Sequence, residues 1–247
     1  MSSRPVSVVV DAMDPAALAR FWAAALGWEV TYEAPDEVVV EVGEEGGEWG
    51  DTGVVPLVFG PVPEPKVGKN RAHLDLASSS EREQAEIVDR LIALGGRRAD
   101  IGQTAVPWEV LADPEGNELC VLEPRETYHG VEGIAAVVLD CIDPVALAGF
   151  WREATGWQVD RTATGFVGLR PTDRTATALE LVAVPEPKAT KDRLHVDLAP
   201  RPDDDHLAEV ARLTALGART IDIGQGDVSW VVLTDPEGHE LCVLTPR

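Results

Sequence analysis

Two short segments of this 247-residue chain hold the residue pair best suited to proton chemistry. AHLDL (72–76) and LHVDL (194–198) each place a histidine two residues before an aspartate: His73 with Asp75, and His195 with Asp197. Residues two apart on a strand share a face, and the apolar residues beside them fall on the other. Imidazole and carboxylate then look into a common space. A carboxylate raises the basicity of a neighbouring imidazole towards neutral pH, which is what a general base requires. The bland alternative is a histidine that satisfies a neighbour on a half-buried strand. These four residues are read as lining a cleft and, more narrowly, as candidate catalysts.

The four lysines, Lys66, Lys69, Lys188 and Lys191, all lie in the segments VPEPKVGKNR (62–71) and VPEPKATKDR (184–193), which close on Arg71 and Arg193. In a chain of formal charge −22, this concentrates positive charge just before each histidine strand. Such a spot can receive an anionic group of a ligand. The competing reading pairs it with nearby acids such as Glu64 and Glu186. Lys69, Arg71, Lys191 and Arg193 are candidate ligand contacts on the first reading. Trp108 and Trp230, with valines on either side, either line an aromatic cleft or fill the helix side of a sheet. Trp22, Trp28, Trp151 and Trp157 read as core, and Trp49 as a flap or a bare loop residue.

These residues recur because the chain is a tandem duplication. VVVDAMDPAALARFW (8–22) returns as VVLDCIDPVALAGFW (137–151), an offset of 129. The lysine segments and ADIGQTAVPWEVLADPEGNELCVLEPR (99–125) return at an offset of 122. The seven residues of difference fall between Ala34 and Pro56, around the acidic, glycine-rich stretch 41–53, which reads as a mobile loop. The boundaries are 1–125, a linker at 126–133, and 134–247.

Each copy divides again. A strand over 6–11 leads to Asp14-Pro15, a cap followed by a first-turn proline. A helix ending at Gly27 follows, then extended pieces at 28–33, 37–42 and 54–59. The pattern restarts with a strand at 71–77. Ser80 and Glu83 suggest a capping box. The helix they open ends at Gly95, before three more extended pieces and a tight turn at Asp113–Gly116. The class is α+β, with four βαβββ modules in two domains. Modules should pair around a concave face, one cleft per domain.

The module order, together with DP-x-A-L-A-x-F-W, VPEPK-x-x-K-x-R-x-H-x-D-L and DPEG-x-E-L-C-V-L, resembles the glyoxalase-like branch of the vicinal oxygen chelate superfamily. That group includes glyoxalase I, extradiol dioxygenases (dihydroxybiphenyl dioxygenase-like folds) and bleomycin-resistance proteins. Its metal-using members draw ligands from the first and last strands of each module. Carried over, His73 and His195 sit where the family places a histidine. Cys120 and Cys242 stand where a glutamate is usual, with Glu118 and Glu240 two residues earlier. Of the remaining ligand strands, Glu180 offers a carboxylate in one copy only. His73, Glu118 and Cys120, with His195, Glu240 and Cys242, make a marginal set of mixed softness. No metal or other cofactor is therefore favoured, and a divalent metal is the alternative. The resemblance implies a binder of a small metabolite or antibiotic; the alternative is a metal-dependent lyase, isomerase or dioxygenase.

Composition removes other classes. An apolar content of 45% with 26% charged residues describes a core-forming chain. The acidity argues against nucleic acid and anionic membranes as partners. Three cysteines make no disulfide framework, so a cytoplasmic location is expected. Rossmann, P-loop and nucleophile-elbow motifs are missing. A monomer is expected, with a homodimer as the alternative.

Overall fold

The computed structural model describes residues 3–43, 49 and 53–247. The first module comprises β1 (Arg4–Ala12), α1 (Pro15–Leu26), β2 (Glu29–Glu33), β3 (Val38–Glu41) and β4 (Leu57–Pro61). The second has β5 (Ala72–Leu76), α2 (Glu81–Ala93), β6 (Arg97–Arg98), β7 (Glu109–Ala112) and β8 (Glu118–Val121). A single 3-10 turn, Glu126–Tyr128, leads to the third: β9 (Ile134–Cys141), α3 (Pro144–Thr155), β10 (Gln158–Ala163), β11 (Phe166–Arg170) and β12 (Ala178–Ala183). The fourth has β13 (Leu194–Ala199), α4 (His206–Ala215), β14 (Arg219–Thr220), β15 (Val231–Thr234) and β16 (Glu240–Val243). This is the α+β architecture expected.

The local signals act as chemistry dictates. Asp14 accepts from the Ala17 N–H at 2.9 Å, Pro15 occupies the first turn, and Gly27 closes α1 at φ +71°. Asp143, Pro144 and Gly156 repeat the arrangement in α3. The capping box at α2 is only half formed. Ser80 accepts from Glu83 N, but the Glu83 carboxylate reaches back to Ser79 N at 2.6 Å instead of to Ser80.

The modules pair differently from the expectation. One eight-stranded sheet, here sheet A, runs β14-β15-β16-β13-β1-β4-β3-β2, and the other, sheet B, runs β10-β11-β12-β9-β5-β8-β7-β6. Sheet A therefore joins the first module to the fourth, and sheet B joins the second to the third. The expectation of one cleft inside each sequence half is corrected: both concave faces are built by both halves. The joints are antiparallel pairings of first strands, with Val9 opposite His195 in sheet A and His73 opposite Val138 in sheet B. A strand pattern specifies which face is buried but not which edge is its partner.

Within a half, the modules meet through their helices and turns. The Trp22 indole donates to buried Asp113 at 3.4 Å, and Trp151 donates to Asp235 at 3.2 Å. Glu115 accepts from Met13 N and Asp14 N, both at 2.9 Å, at the entry to α1. One contiguous apolar core lies under the helices and includes Leu74, Leu76, Leu91, Leu139, Leu181 and Leu198. Trp49 belongs to it, which corrects the flap reading. It is fully buried, packs edge-on against Trp157 at 5.0 Å, and donates its indole N–H to Thr177 O at 3.1 Å. Of the stretch read as a mobile loop, residues 44–48 and 50–52 lie outside the described residues.

One buried pair distinguishes the halves. Asn70 donates to Asn117 at 3.1 Å in the first, where the second has Asp192 against His239 at 2.8 Å. Burial disfavours a charged His239, but the hydrogen bond to Asp192 and the fields of Asp235 and Asp192 outweigh it, and its pKa is raised above 6.5.

Two outcomes follow from this architecture. Chains 1–130 and 131–247 made separately should each lack a cooperative monomeric unfolding transition and regain one when mixed; a cooperative monomeric half, seen by calorimetry with mass measurement, would contradict the shared sheets. A histidine pKa raised by folding contributes its full stability below its unfolded value and loses it as pH climbs through the folded one. The stability advantage of the native chain over Asp192→Asn with His239→Asn should therefore shrink as pH rises above about 6.5 in urea titrations.

Candidate functional site

The joints between first strands decide what faces the concave side of each sheet. In sheet A, the register aligns His195 with Val9 and Val58 in one row, and Asp197 with Ser7 and Cys242 in the next. In sheet B, the rows are His73, Val138 and Glu180, then Asp75 with Ala136 and Cys120. The leucines between them enter the core, as alternation predicts.

Two matching groups result: His195, Asp197 and Cys242 in sheet A, and His73, Asp75 and Cys120 in sheet B, each with donor atoms within 4.8 Å of one another. The His195 Nε2 to Asp197 Oδ1 distance is 3.6 Å, and that from Cys242 Sγ to His195 Nε2 is 3.4 Å. Ser7 Oγ donates to Asp197 Oδ2 at 3.2 Å. Burial pushes the His195 pKa down and the Asp197 pKa up, and lifts the thiols of Cys120 and Cys242, the adjacent aspartates adding to the effect on each thiol. His195 is thus a neutral ring at neutral pH, with a lone pair to offer.

The donor set passes a test of fit for a metal. Asp75 Oδ1 and Asp197 Oδ1 are buried oxygens with no hydrogen-bond partner among the described residues. Such an atom is costly unless something meets it. An imidazole nitrogen, a carboxylate oxygen and a thiol gathered on two neighbouring strands suit a zinc-type divalent ion with a position left open. Glu118 and Glu240 do not belong to these groups, a correction to the carried-over set. Each stands first in its strand, where a lysine and a backbone N–H engage it: Lys66 at 2.8 Å and Asn70 N at 3.1 Å for Glu118, Lys188 and Asp192 N for Glu240. In these groups the carboxylate beside the histidine and the thiol is that of Asp75 or Asp197.

The basic residues lie elsewhere. Lys69 pairs with Asp140 at 2.5 Å, and Lys191 pairs with Asp11. Arg71 donates to Glu186 O at 2.7 Å, while Arg193 donates to Glu64 O at 2.8 Å and to Glu115 at 3.2 Å. Every one of these contacts crosses between the halves. The four cations surround a small cavity of about 160 Å³ between the two segments and are not among the residues lining the sheet A cavity, although the charges of Lys191 and Lys69 reach Cys242 and Cys120.

The two concave faces have different contents. That of sheet A holds a cavity of about 530 Å³ lined by His195, Asp197, Cys242, Ser7, Val58 and Trp230. That of sheet B holds Tyr128, from the turn after β8, which is 4% exposed and shares an apolar cluster with Cys120, Trp108 and Val110. Its hydroxyl donates to Glu180 and accepts from Arg161 at 3.1 Å, and the Arg161 and Arg170 guanidinium groups each lie 5.4 Å from its ring. Burial first, then Asp75, pushes the Glu180 pKa up, and burial with Glu180 lifts that of Tyr128. Trp108 is covered by Arg125 at 5.6 Å and donates to Gln103 at 2.9 Å, whereas Trp230 is 39% exposed at the rim of the open cavity. Reading the sequence missed Tyr128, Arg161 and Arg170. The available signal was a tyrosine in a connecting segment that occurs once.

With this geometry in hand, comparisons place the chain. The model of a glyoxalase-like domain matches residues 7–122 and again 136–244. The chain belongs to the glyoxalase-like family. Glyoxalase I from Zea mays superposes with a TM-score of 0.69 over 99% of this chain and 92% of its own, at 14% identity. A putative dioxygenase from Bacillus subtilis superposes with a TM-score of 0.63 over 99% and 86%, also at 14% identity. At such identities the likeness is one of fold alone. A comparison with curated proteins finds no match. The family resemblance read from the motifs is borne out, as is the paired-module fold.

The filled face makes a prediction. Tyr128→Phe removes the donor to a buried carboxylate and should lower stability by about 1–3 kcal/mol in urea unfolding. An unchanged midpoint would mean that Glu180 does not depend on the phenol.

Proposed function

We propose that this glyoxalase-like protein binds a small molecule in the concave cleft of sheet A, over His195, Asp197 and Cys242. The observation that carries this is a cavity of about 530 Å³ over that face, lined by His195, Asp197 and Cys242 together with apolar side chains. The apolar side chains of Val9, Val39 and Val58 supply surface for a hydrocarbon or ring portion. His195, neutral through burial, is placed to accept a proton from the ligand or to hydrogen-bond it. On the sheet B face Tyr128 packs against Cys120 of the matching group. Each sheet is complete within one chain, which supports a monomer. Among the described residues no helix is long and apolar enough to cross a membrane. Three free, buried cysteines support a reducing compartment such as the cytoplasm.

The second reading, a metal-dependent lyase, isomerase or dioxygenase, is favoured by the convergence of three donors within 4.8 Å. His195, Asp197 and Cys242 would hold the ion, which would supply a Lewis acid to polarise an oxygen of the ligand. The chain's own part is to orient that oxygen and to exclude water.

One set of measurements separates the readings. Fragments from an NMR screen should shift the Trp230 indole resonance and lose affinity by on the order of tenfold in His195→Ala with Asp197→Asn, while His73→Ala leaves them unaffected. Sensitivity to His73→Ala alone would move the site to sheet B. Elemental analysis of tag-free protein decides the metal: about one divalent ion per chain, lost in Asp197→Asn, supports the second reading. Fragment binding unchanged by chelator in metal-free protein supports the first.

A further inference from the structure

Resting on the reading of sheet A as the ligand cleft, the geometry points to the class of ligand: a flat, largely apolar body carrying a protonated nitrogen. The argument starts from what the duplication changed. In the paired registers, Glu29 lies opposite Glu41 in sheet A, where Gln158 lies opposite Arg170 in sheet B. Glu41 thus occupies the position at which sheet B has Arg170, the arginine over the Tyr128 ring. Glu41 lines the sheet A cavity, with Asp36 and Glu37 beside it, and Thr31 Oγ1 holds its carboxylate at 2.7 Å. Among the described lining residues, the acids are Asp36, Glu37, Glu41 and Asp197, and the basic residue is Arg247.

A group of surface acids would carry no such claim by itself. The independent observation is Asp197, a 7% exposed residue of the cavity floor whose Oδ1 has no hydrogen-bond partner among the described residues. A second asymmetry agrees. Trp108 in sheet B is stacked by Arg125 and hydrogen-bonded to Gln103. For Trp230, no guanidinium lies over the ring and no acceptor meets the indole N–H among the described residues. The matching Gln225 turns its oxygen to Ile223 N instead, at 2.8 Å. An indole face open to a cavity with carboxylates on the opposite wall offers both stacking and attraction to a cation. The floor between them, Val9, Val39, Val58 and Pro56, is apolar and asks for a ring rather than a polar chain. Sheet B supplies the contrast: there the chain places its own aromatic ring under two arginines and a glutamate.

The test uses three indoles of one shape and different charge: tryptamine, tryptophol and indole-3-propionate. Each is titrated into the full chain while the Trp230 indole N–H is followed by NMR. Tryptamine should bind on the order of tenfold more tightly than indole-3-propionate, with tryptophol between them. Glu41→Gln, which keeps an oxygen for Thr31, should reduce that preference by about fivefold, and added salt should reduce it in the native chain. Equal or tighter binding of indole-3-propionate, or a preference unchanged in Glu41→Gln, overturns the cationic ligand but leaves the cleft standing. If none of the three moves the Trp230 resonance, the cleft reading falls as well.

Discussion

The structure depends on one constraint: the inner edge of each module's first strand must be paired. β1 and β9 are long and buried, and an unpaired row of N–H and C=O groups along such a strand would be costly. β13 and β5 supply the partners. The same pairing determines the chemistry of the concave face. With Val9 opposite His195 and Ser7 opposite Asp197, the His195 and Asp197 side chains line the sheet A cavity; a slip of one residue would turn them into the core. The register shift between Pro5 and Ser7 is part of this arrangement. It falls where proline cannot donate to the ladder, and it brings Ser7 to 3.2 Å from the Asp197 carboxylate.

Much of this was legible from residue types and spacing, because it depends on local rules. Asp14-Pro15 and Gly27 mark α1, and the parity of His73 with Asp75 puts both on one face. The repeat exposed the four modules. Three features were not legible, each for a physical reason. Periodicity selects a face and leaves the partner open, so the exchange of modules between halves had no signature in β1 or β13. Glu118 shares parity with Cys120, but a carboxylate at the first residue of a strand is within reach of the preceding loop, and Lys66 took it. Trp49 sits in an acidic, glycine-rich stretch whose composition suggests exposure, yet its ring packs on Trp157, more than a hundred residues later.

A duplication creates two equal clefts but only one connection between the copies. Residues 126–133 run from β8 to β9, both in sheet B, so the connection passes that sheet and cannot reach the other. Tyr128 could fill one face only. On that face Glu180 meets its hydroxyl, and Arg161 and Arg170 lie against its ring. In sheet A the position of Glu180 is Val58 and that of Arg170 is Glu41. The differences between the halves are therefore grouped by the sheet they serve.

The charge of the chain acquires a structural meaning in this frame. Lysines concentrated in two segments of an acidic protein invite the idea of an anion site, yet each faces a carboxylate. Lys191 and Arg193 pair with the carboxylates of Asp11 and Glu115, Lys69 pairs with that of Asp140, and Arg193 and Arg71 also donate to the main-chain oxygens of Glu64 and Glu186, always across the halves. Desolvated ion pairs add little net stability, but a mismatched one is expensive, so they discriminate between arrangements of similar hydrophobic quality. Four modules of like sequence could pair in several ways with the same apolar burial. A basic segment that fits the acids of the opposite half, placed just before the strand that must pair, favours one. None of these four cations lines the sheet A cavity, where the described lining residues include Asp36, Glu37, Glu41 and Asp197 against Arg247.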